Sequence, residues 1–205
     1  MENFERRYFI SEVRSDEIEN RTVRGYAAVF DSETEIGGMF KEKIAHGAFT
    51  KALCENDIRA VWNHNLDLPL GRTINGSLRL IEDNHGLAFE LDLPDTATGR
   101  DAYELIRTGV VSGVSFGFNV RKDSWSRGEN GELSIRTLED IDLFEISPCT
   151  FPAYEQTNVV TRSVEKEFIE KQKEWQKSDN EEITNKIRTE LDLLKLKLDI
   201  AEKSF

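Results

Sequence analysis

The chain has 205 residues, a formal net charge of −12, 38% hydrophobic and 32% charged residues, and twelve Phe. This is enough for one domain with a real core, alone or with an appendage, and the acidic balance argues against a nucleic-acid surface, which needs clustered Lys and Arg. No apolar run approaches membrane-spanning length, Met1 to Arg7 lacks the apolar core of a signal peptide, and the only cysteines, Cys54 and Cys149, form neither a disulfide framework nor a metal motif, so a cytosolic, reducing compartment is expected.

Ordered structure is expected to begin at Thr22 to Phe30, which is rich in β-branched and aromatic residues and follows the polar run Ser15 to Arg21. Asp31 to Met39 reads as a loop, with Gly37-Gly38 as its turn signal. His46-Gly47-Ala48-Phe49 opens a short helical pattern ending at Asn56. Ile58 to Trp62 reads as a strand that delivers Asn63-His64-Asn65 at its end, and Leu68 to Thr73 turns the chain back. Ser77 to Glu82 and Gly86 to Leu93 form a hairpin pattern, with Leu87, Phe89, Leu91 and Leu93 along one face. Thr96 or Thr98 caps a helix that Gly109 stops. A strand over Ser112 to Arg121 follows, then a polar excursion from Lys122 to Gly131, then strands near Leu133 to Leu138 and Asp140 to Ser147.

Many short strands with two short helices between them do not read as alternating βαβ units. They predict a strand-dominated α+β domain, a small and mostly antiparallel barrel or sandwich with helices outside. The composition changes after Tyr154. A charged helix over Val164 to Lys177 is broken at Ser178-Asp179-Asn180, and Ser178 with Glu181 has the spacing of a capping box for a second helix. Ile187, Leu191, Leu194, Leu198, Ala201 and Phe205 follow coiled-coil spacing; a helix packed back on the domain would show it too, but the charge on the other faces favours an extended or self-associating tail. The division expected is 1–162 for the globular domain and 163–205 for the tail.

The chemistry centres on Gly113-Val114-Ser115-Phe116-Gly117-Phe118. Val114, Phe116, Phe118 and Val120 alternate with Ser115, Gly117 and Asn119, so Ser115 projects away from the apolar face. The flanking glycines are expected to clear space for a carbonyl to approach the hydroxyl. The spacing also fits the nucleophile elbow of α/β-hydrolases, whose triad runs Ser, Asp or Glu, then His. Here His46, His64 and His85 all precede Ser115, so that order cannot be built. Any Ser–His pair must run His first.

His46 and His85 fall at turns. His64 ends an apolar strand, where a rigid element can hold it over a cleft. An imidazole titrates near pH ~6.5 and can take a hydroxyl proton at neutral pH. A carboxylate should orient it. Glu145 is the first candidate, because the strand pattern puts it on one face with Ile141 and Leu143, where a carboxylate needs a partner. Asp67, Asp92 and Asp142 stand behind it, and the alternative for Glu145 is a structural ion pair with an arginine such as Arg72. Cys149 lacks any sign of activation and reads as packing. His64 and Asp67 lack the further ligands of a zinc site, and no nucleotide-binding glycine pattern appears, so neither metal nor cofactor is expected.

Trp62-Asn63-His64, Leu70-Gly71-Arg72-Thr73, Gly113 to Phe118, Leu143-Phe144-Glu145-Ile146-Ser147 and Phe151-Pro152-Ala153, in this order, resemble the prohead maturation proteases of tailed bacteriophages. Tyr26 to Phe30 and Phe40 to Phe49 add to the resemblance, which covers roughly residues 8 to 160. It implies a fold similar to the herpesvirus capsid-assembly protease, a β-barrel surrounded by helices. It also implies a serine endopeptidase that acts inside the assembling procapsid, in the host cytoplasm, on the scaffolding segment of the major capsid protein and on itself. His64 maps to the base and Ser115 to the nucleophile. Glu145 maps to the third member less directly, since the herpesvirus relatives use a second His there. The tail after Arg162 inherits little from the family, although self-association through its helix is expected. The competing reading is a non-catalytic assembly or scaffolding protein, in which His64 and Ser115 need not meet.

Overall fold

Alternating apolar side chains build two sheets in the computed structural model, which describes residues 4–10, 14–15, 21–129, 131–150 and 162–202. The chain divides into two units, Met1–Thr161 and Arg162–Phe205. In the first, one sheet contains β1 (Phe4–Ile10), β4 (Thr34–Ile36), β5 (Phe40–Ile44), β6 (Arg59–Trp62), β7 (Asn65–Arg72), β10 (Gly113–Ser126) and β11 (Ile135–Cys149). Its order is β1-β10-β11-β5-β4, and the β6–β7 hairpin joins it through β6 against β11. The other sheet orders β2 (Arg14–Ser15), β3 (Thr22–Val29), β9 (Gly86–Asp92) and β8 (Leu78–Glu82) as β2-β3-β9-β8. Helices α1 (Thr50–Glu55) and α2 (Ala97–Arg107) complete the unit. One core joins Val23, Leu87 and Leu91 to Phe49, Val114, Phe116 and Phe118. The strand-dominated α+β class expected from the sequence is therefore present, and among the described residues the two sheets do not close into one ring.

The centre of this unit is the antiparallel ribbon β10–β11. On one side β10 pairs with β1, and on the other β11 runs parallel first to β5 and then to β6. One long strand thus links the β4–β5 hairpin to the β6–β7 hairpin. The β8–β9 hairpin forms where the alternation placed it, and Thr96 caps α2 by accepting a hydrogen bond from the Gly99 N–H at 3.1 Å.

Several expectations are corrected. Order begins at β1 and not at Thr22, because Glu5 and Arg7 point inward and are 3% and 6% exposed. A strand with charged residues on its buried face does not look like one in sequence. Arg7 bonds to Glu5 and Glu42, and Arg136 to Glu5, Glu42 and Asp123, so these buried charges are paired. The loop expected over Asp31 to Met39 contains β4, which pairs with β5 across a turn where Gly37 and Gly38 have φ of 58° and 69°. The polar excursion from Lys122 is for its first part a continuation of β10. Trp125 packs edge-on against Phe40 and lies under the Arg136 guanidinium, which holds a strand whose other positions are polar. The two strands expected near Leu133 to Leu138 and Asp140 to Ser147 are one strand, β11, which begins at Ile135.

In the second unit, α3 (Arg162–Glu202) runs through Ser178-Asp179-Asn180 without the expected break. Ser, Asp and Asn each cost only a few tenths of a kcal/mol in a helix, and neither Gly nor Pro occurs there. Of the expected seam, Ile187 and Leu191 are 53% and 50% exposed, and the side chains from Leu194 onward lie outside those described. Phe151-Pro152-Ala153, part of the family resemblance, also lies outside the described residues. Among the described residues no helix is long and apolar enough to cross a membrane.

Candidate active site

Ser115 and Glu145 are brought to one face of the ribbon by register. Gly113 pairs with Cys149, Ser115 with Ser147 and Gly117 with Glu145, while Val114 and Phe116 pair with Pro148 and Ile146 on the core side. Directly paired residues share a face, so Ser115, Gly117, Glu145 and Ser147 form one patch.

Glu145 reaches that patch through an irregularity. Gly117 pairs with Glu145, but the next residue, Phe118, pairs with Leu143, so Phe144 is an extra residue on β11. This bulge reverses the alternation. Ile141 and Leu143 face the core with Val120 and Phe118, whereas Glu145 faces the other way. The expectation that Glu145 shares a face with Ile141 and Leu143 is corrected: simple alternation does not count the bulge. Gly117 has a structural reason of its own. A Cβ there would lie 2.5 Å from Phe4 Cζ and 2.7 Å from Glu145 Oε1, so the missing side chain makes room for the ring and the carboxylate.

His64 arrives from the neighbouring hairpin. Trp62 pairs with Asn65, which makes Asn63-His64 a two-residue turn, and both have positive φ, 48° and 58°. Two left-handed residues in succession are the signature of a type I′ turn, where the second position favours Gly. A histidine there is strained, by about 1–2 kcal/mol. Contacts to the end of β11 and to Thr150 just beyond it hold it. The Asn63 N–H donates to the Pro148 carbonyl at 3.2 Å, the Thr150 N–H donates to Asn63 Oδ1 at 3.0 Å, and the His64 N–H donates to Ser147 Oγ at 2.7 Å.

The ring of His64 then meets the carboxylate: Nδ1 lies 2.6 Å from Glu145 Oε1. An ionised carboxylate only accepts, so Nδ1 carries the proton and Nε2 keeps its lone pair. Glu145 is 4% exposed, its Oε2 has no hydrogen-bond partner among the described residues, and the nearest guanidinium atom is Arg6 Nε, 3.9 Å from Oε1. The ion pair considered with Arg72 does not form; Arg72 bonds to Asp57.

Ser115 is 3% exposed, and its hydroxyl donates to the Arg7 carbonyl on β1 at 2.8 Å. Among the described residues no hydrogen bond joins it to His64. The two are linked instead through Ser147, which stands directly across the ribbon from Ser115 and holds the His64 backbone. The other carboxylates are engaged elsewhere or exposed. Asp92 bonds to Arg79 and Thr22, Asp142 to Asn56 and Arg121, and Asp67 is exposed on β7. His46 pairs with Asp31, and His85 sits in the β8–β9 turn against Tyr26. Burial, with the Glu145 charge adding to it, pushes the Cys149 thiol up to about 12, which suits packing and not attack. Among the described residues no group of three or more His, Cys, Asp or Glu side chains could hold a metal ion.

Ser147 and Asn63 were not singled out from the sequence. Ser147 had a signal, since it lies two residues beyond Glu145 on one strand and therefore on its face.

Residues 10–174 match the family model described as Caudovirus prohead serine protease. The matched region runs beyond Arg162 into α3, further than the sequence resemblance reached. The prohead protease of Enterobacteria phage HK97 is 35% identical over 142 residues, covering 66% of this chain and 57% of that protein. This chain therefore spans little more than half the length of that relative. The capsid assembly protease of bacteriophage T4 aligns with a TM-score of 0.44 at 12% identity, over 71% of this chain and 98% of that one. With its family match covering most of the sequence, the chain belongs to the caudovirus prohead serine proteases.

Proposed function

We propose that this chain is a serine endopeptidase that cleaves capsid and scaffold protein, and itself, as a phage procapsid matures. The observation that carries this reading is the 2.6 Å contact between His64 Nδ1 and Glu145 Oε1 on the strand face that also bears Ser115. Glu145 fixes the tautomer and stabilises the imidazolium, and His64 Nε2 is the base. Rotation of the Ser115 side chain away from the Arg7 carbonyl turns Oγ toward His64. Its proton passes to Nε2, Oγ bonds to the scissile carbonyl carbon, and the C–N bond breaks as the imidazolium protonates the leaving amine. Water then hydrolyses the acyl-enzyme by the reverse proton path. Backbone N–H groups near Ser115, or an arginine, stabilise the oxyanion.

We read the two sheets as the wall of a small, incompletely closed barrel of the herpesvirus-protease type, with His ahead of Ser in the chain. Residues 1–162 are assigned the chemistry and 163–205 a helical tail. Its partners are another copy or the scaffolding segment of the major capsid protein, inside the procapsid in the host cytoplasm. The exposed Ile187 and Leu191 support a role in association. The family membership favours this over a non-catalytic scaffolding role.

The test is cleavage of capsid protein bearing its scaffolding segment. Ser115→Ala and His64→Ala each abolish processing, and the double variant is little worse than either, because triad members act as a unit. Wild-type cleavage by purified Ser115→Ala overturns the assignment. Truncation near Arg162 leaves turnover of a short peptide intact but reduces co-purification with assembling capsid protein. Loss of peptide turnover instead places the helix within the catalytic unit.

A further inference from the structure

We infer that Ser147 is a positioning residue that sets the catalytic orientation of His64 by holding the backbone of its turn. This rests on the reading of His64 as the base. Ser147 is fully buried, and its hydroxyl makes two hydrogen bonds to one hairpin. It accepts the His64 N–H at 2.7 Å and donates its proton to the Val61 carbonyl at 3.0 Å. The donor capacity of the hydroxyl is therefore used, and its acceptor side faces a backbone N–H and not the imidazole. It is no second nucleophile.

What it holds is a conformation that the turn does not favour by itself. His64 has a φ of 58°, where a side chain with a Cβ is strained, and it follows Asn63 at 48°. Strained backbone persists where its surroundings over-determine it. The fixings here come from the end of β11 and the residue just beyond it: Ser147 Oγ on His64 N, Pro148 O on Asn63 N, and Thr150 N on Asn63 Oδ1. Glu145 lies two residues before Ser147 on the same face, so one strand holds both the backbone of His64 and its ring. The rigid separation of Glu145 and Ser147 along β11 sets where Nε2 points. Ser115, paired directly with Ser147, takes its place from the same register. Without the Ser147 hydroxyl the turn is free to relax, and a displacement on the order of 1 Å can lower a rate by about 10²-fold.

The experiment measures kcat and KM on a capsid-derived peptide for wild type, Ser115→Ala, Ser147→Ala and Ser147→Cys, with the low-field NMR signal of the His64 Nδ1 proton. Ser115→Ala tests the parent reading: if it cleaves like wild type, that reading fails whatever Ser147 does. Given an inactive Ser115→Ala, the inference expects Ser147→Ala to lose about 10- to 100-fold in kcat, with KM within about twofold and the Nδ1 signal shifted or broadened. Ser147→Cys, which retains a weak donor and acceptor, recovers part of the loss. An unchanged kcat overturns the inference. So does a fall in thermal stability with kcat per folded molecule and the Nδ1 signal unaltered, since that marks a purely structural hydroxyl. If Ser147→Ala does not fold, the same readouts on Ser147→Cys decide: a wild-type kcat and signal overturn it, and a reduced kcat with a shifted signal supports it.

Discussion

The β10–β11 ribbon carries a buried polar cluster on each face, and the two differ in how fully their groups are paired. On the Phe116 and Phe118 side, Glu5, Glu42 and Asp123 surround Arg7 and Arg136. Burial by itself lowers the pKa of both guanidiniums, but the carboxylates outweigh it, and both are raised. On the other side, Glu145 Oε2 has no partner among the described residues, His64 holds a left-handed backbone, and the Ser115 hydroxyl rests on a main-chain carbonyl. The first cluster ties β1, β5, β10 and β11 together. The second leaves Glu145 Oε2 without a hydrogen-bond partner among the described residues, and holds the Ser115 hydroxyl by a single bond to a main-chain carbonyl, an arrangement that suits the proposed proton transfers. The same ribbon thus carries a paired ionic cluster on one face and the proposed catalytic residues on the other.

The comparison is tested most strongly at Glu145. Glu145→Gln is expected to lower turnover by about 10⁴-fold with a small change in melting temperature, because the amide no longer fixes the tautomer. Normal turnover with a lowered melting temperature would assign Glu145 to the structural class instead. The opposite pattern is expected across the ribbon. Arg136→Ala strands buried carboxylates and should cost roughly 3–5 kcal/mol in urea unfolding, with turnover per folded molecule near wild type. Gly117→Ala should affect both quantities, since the new Cβ meets Phe4 and Glu145 at 2.5 and 2.7 Å. We expect a loss of about 1–3 kcal/mol and a large fall in kcat.

A smaller effect isolates the turn. His64→Ala and His64→Gly remove the same ring and should be equally inactive, yet the glycine variant should be more stable by roughly 1 kcal/mol, since only it adopts positive φ without strain. Equal stabilities would mean the turn stores no strain. The smallest effect separates the cysteines. Exposed Cys54 should be alkylated at pH 8 while Cys149 is not, because burial raises the Cys149 thiol to about 12. In stability the sign follows: with a folded value above the ordinary 9.0, the Cys149 contribution is intact below that pH and is lost as pH climbs toward about 12. Mass spectrometry after alkylation, with and without denaturant, reads the difference.

Local patterns carried much of this in the sequence alone. The alternation from Val114 to Val120 places a strand with Ser115 off the core, all three histidines precede Ser115, and the capping threonine and the β8–β9 hairpin follow from short-range chemistry. What only the tertiary structure decided arises where two distant segments meet. The bulge at Phe144 turns Glu145 to the site face, and it exists only as a register between β10 and β11. Gly117 is required by a carboxylate that lies across the strand from it. β1 folds with charges inward because Glu42 and Arg136 come from elsewhere in the chain to meet them. Ser147 gains its partners only when the β6–β7 hairpin docks on β11. Periodicity reports which side of its own strand a residue takes; pairing between strands sets what it meets there, and that is where the site is made.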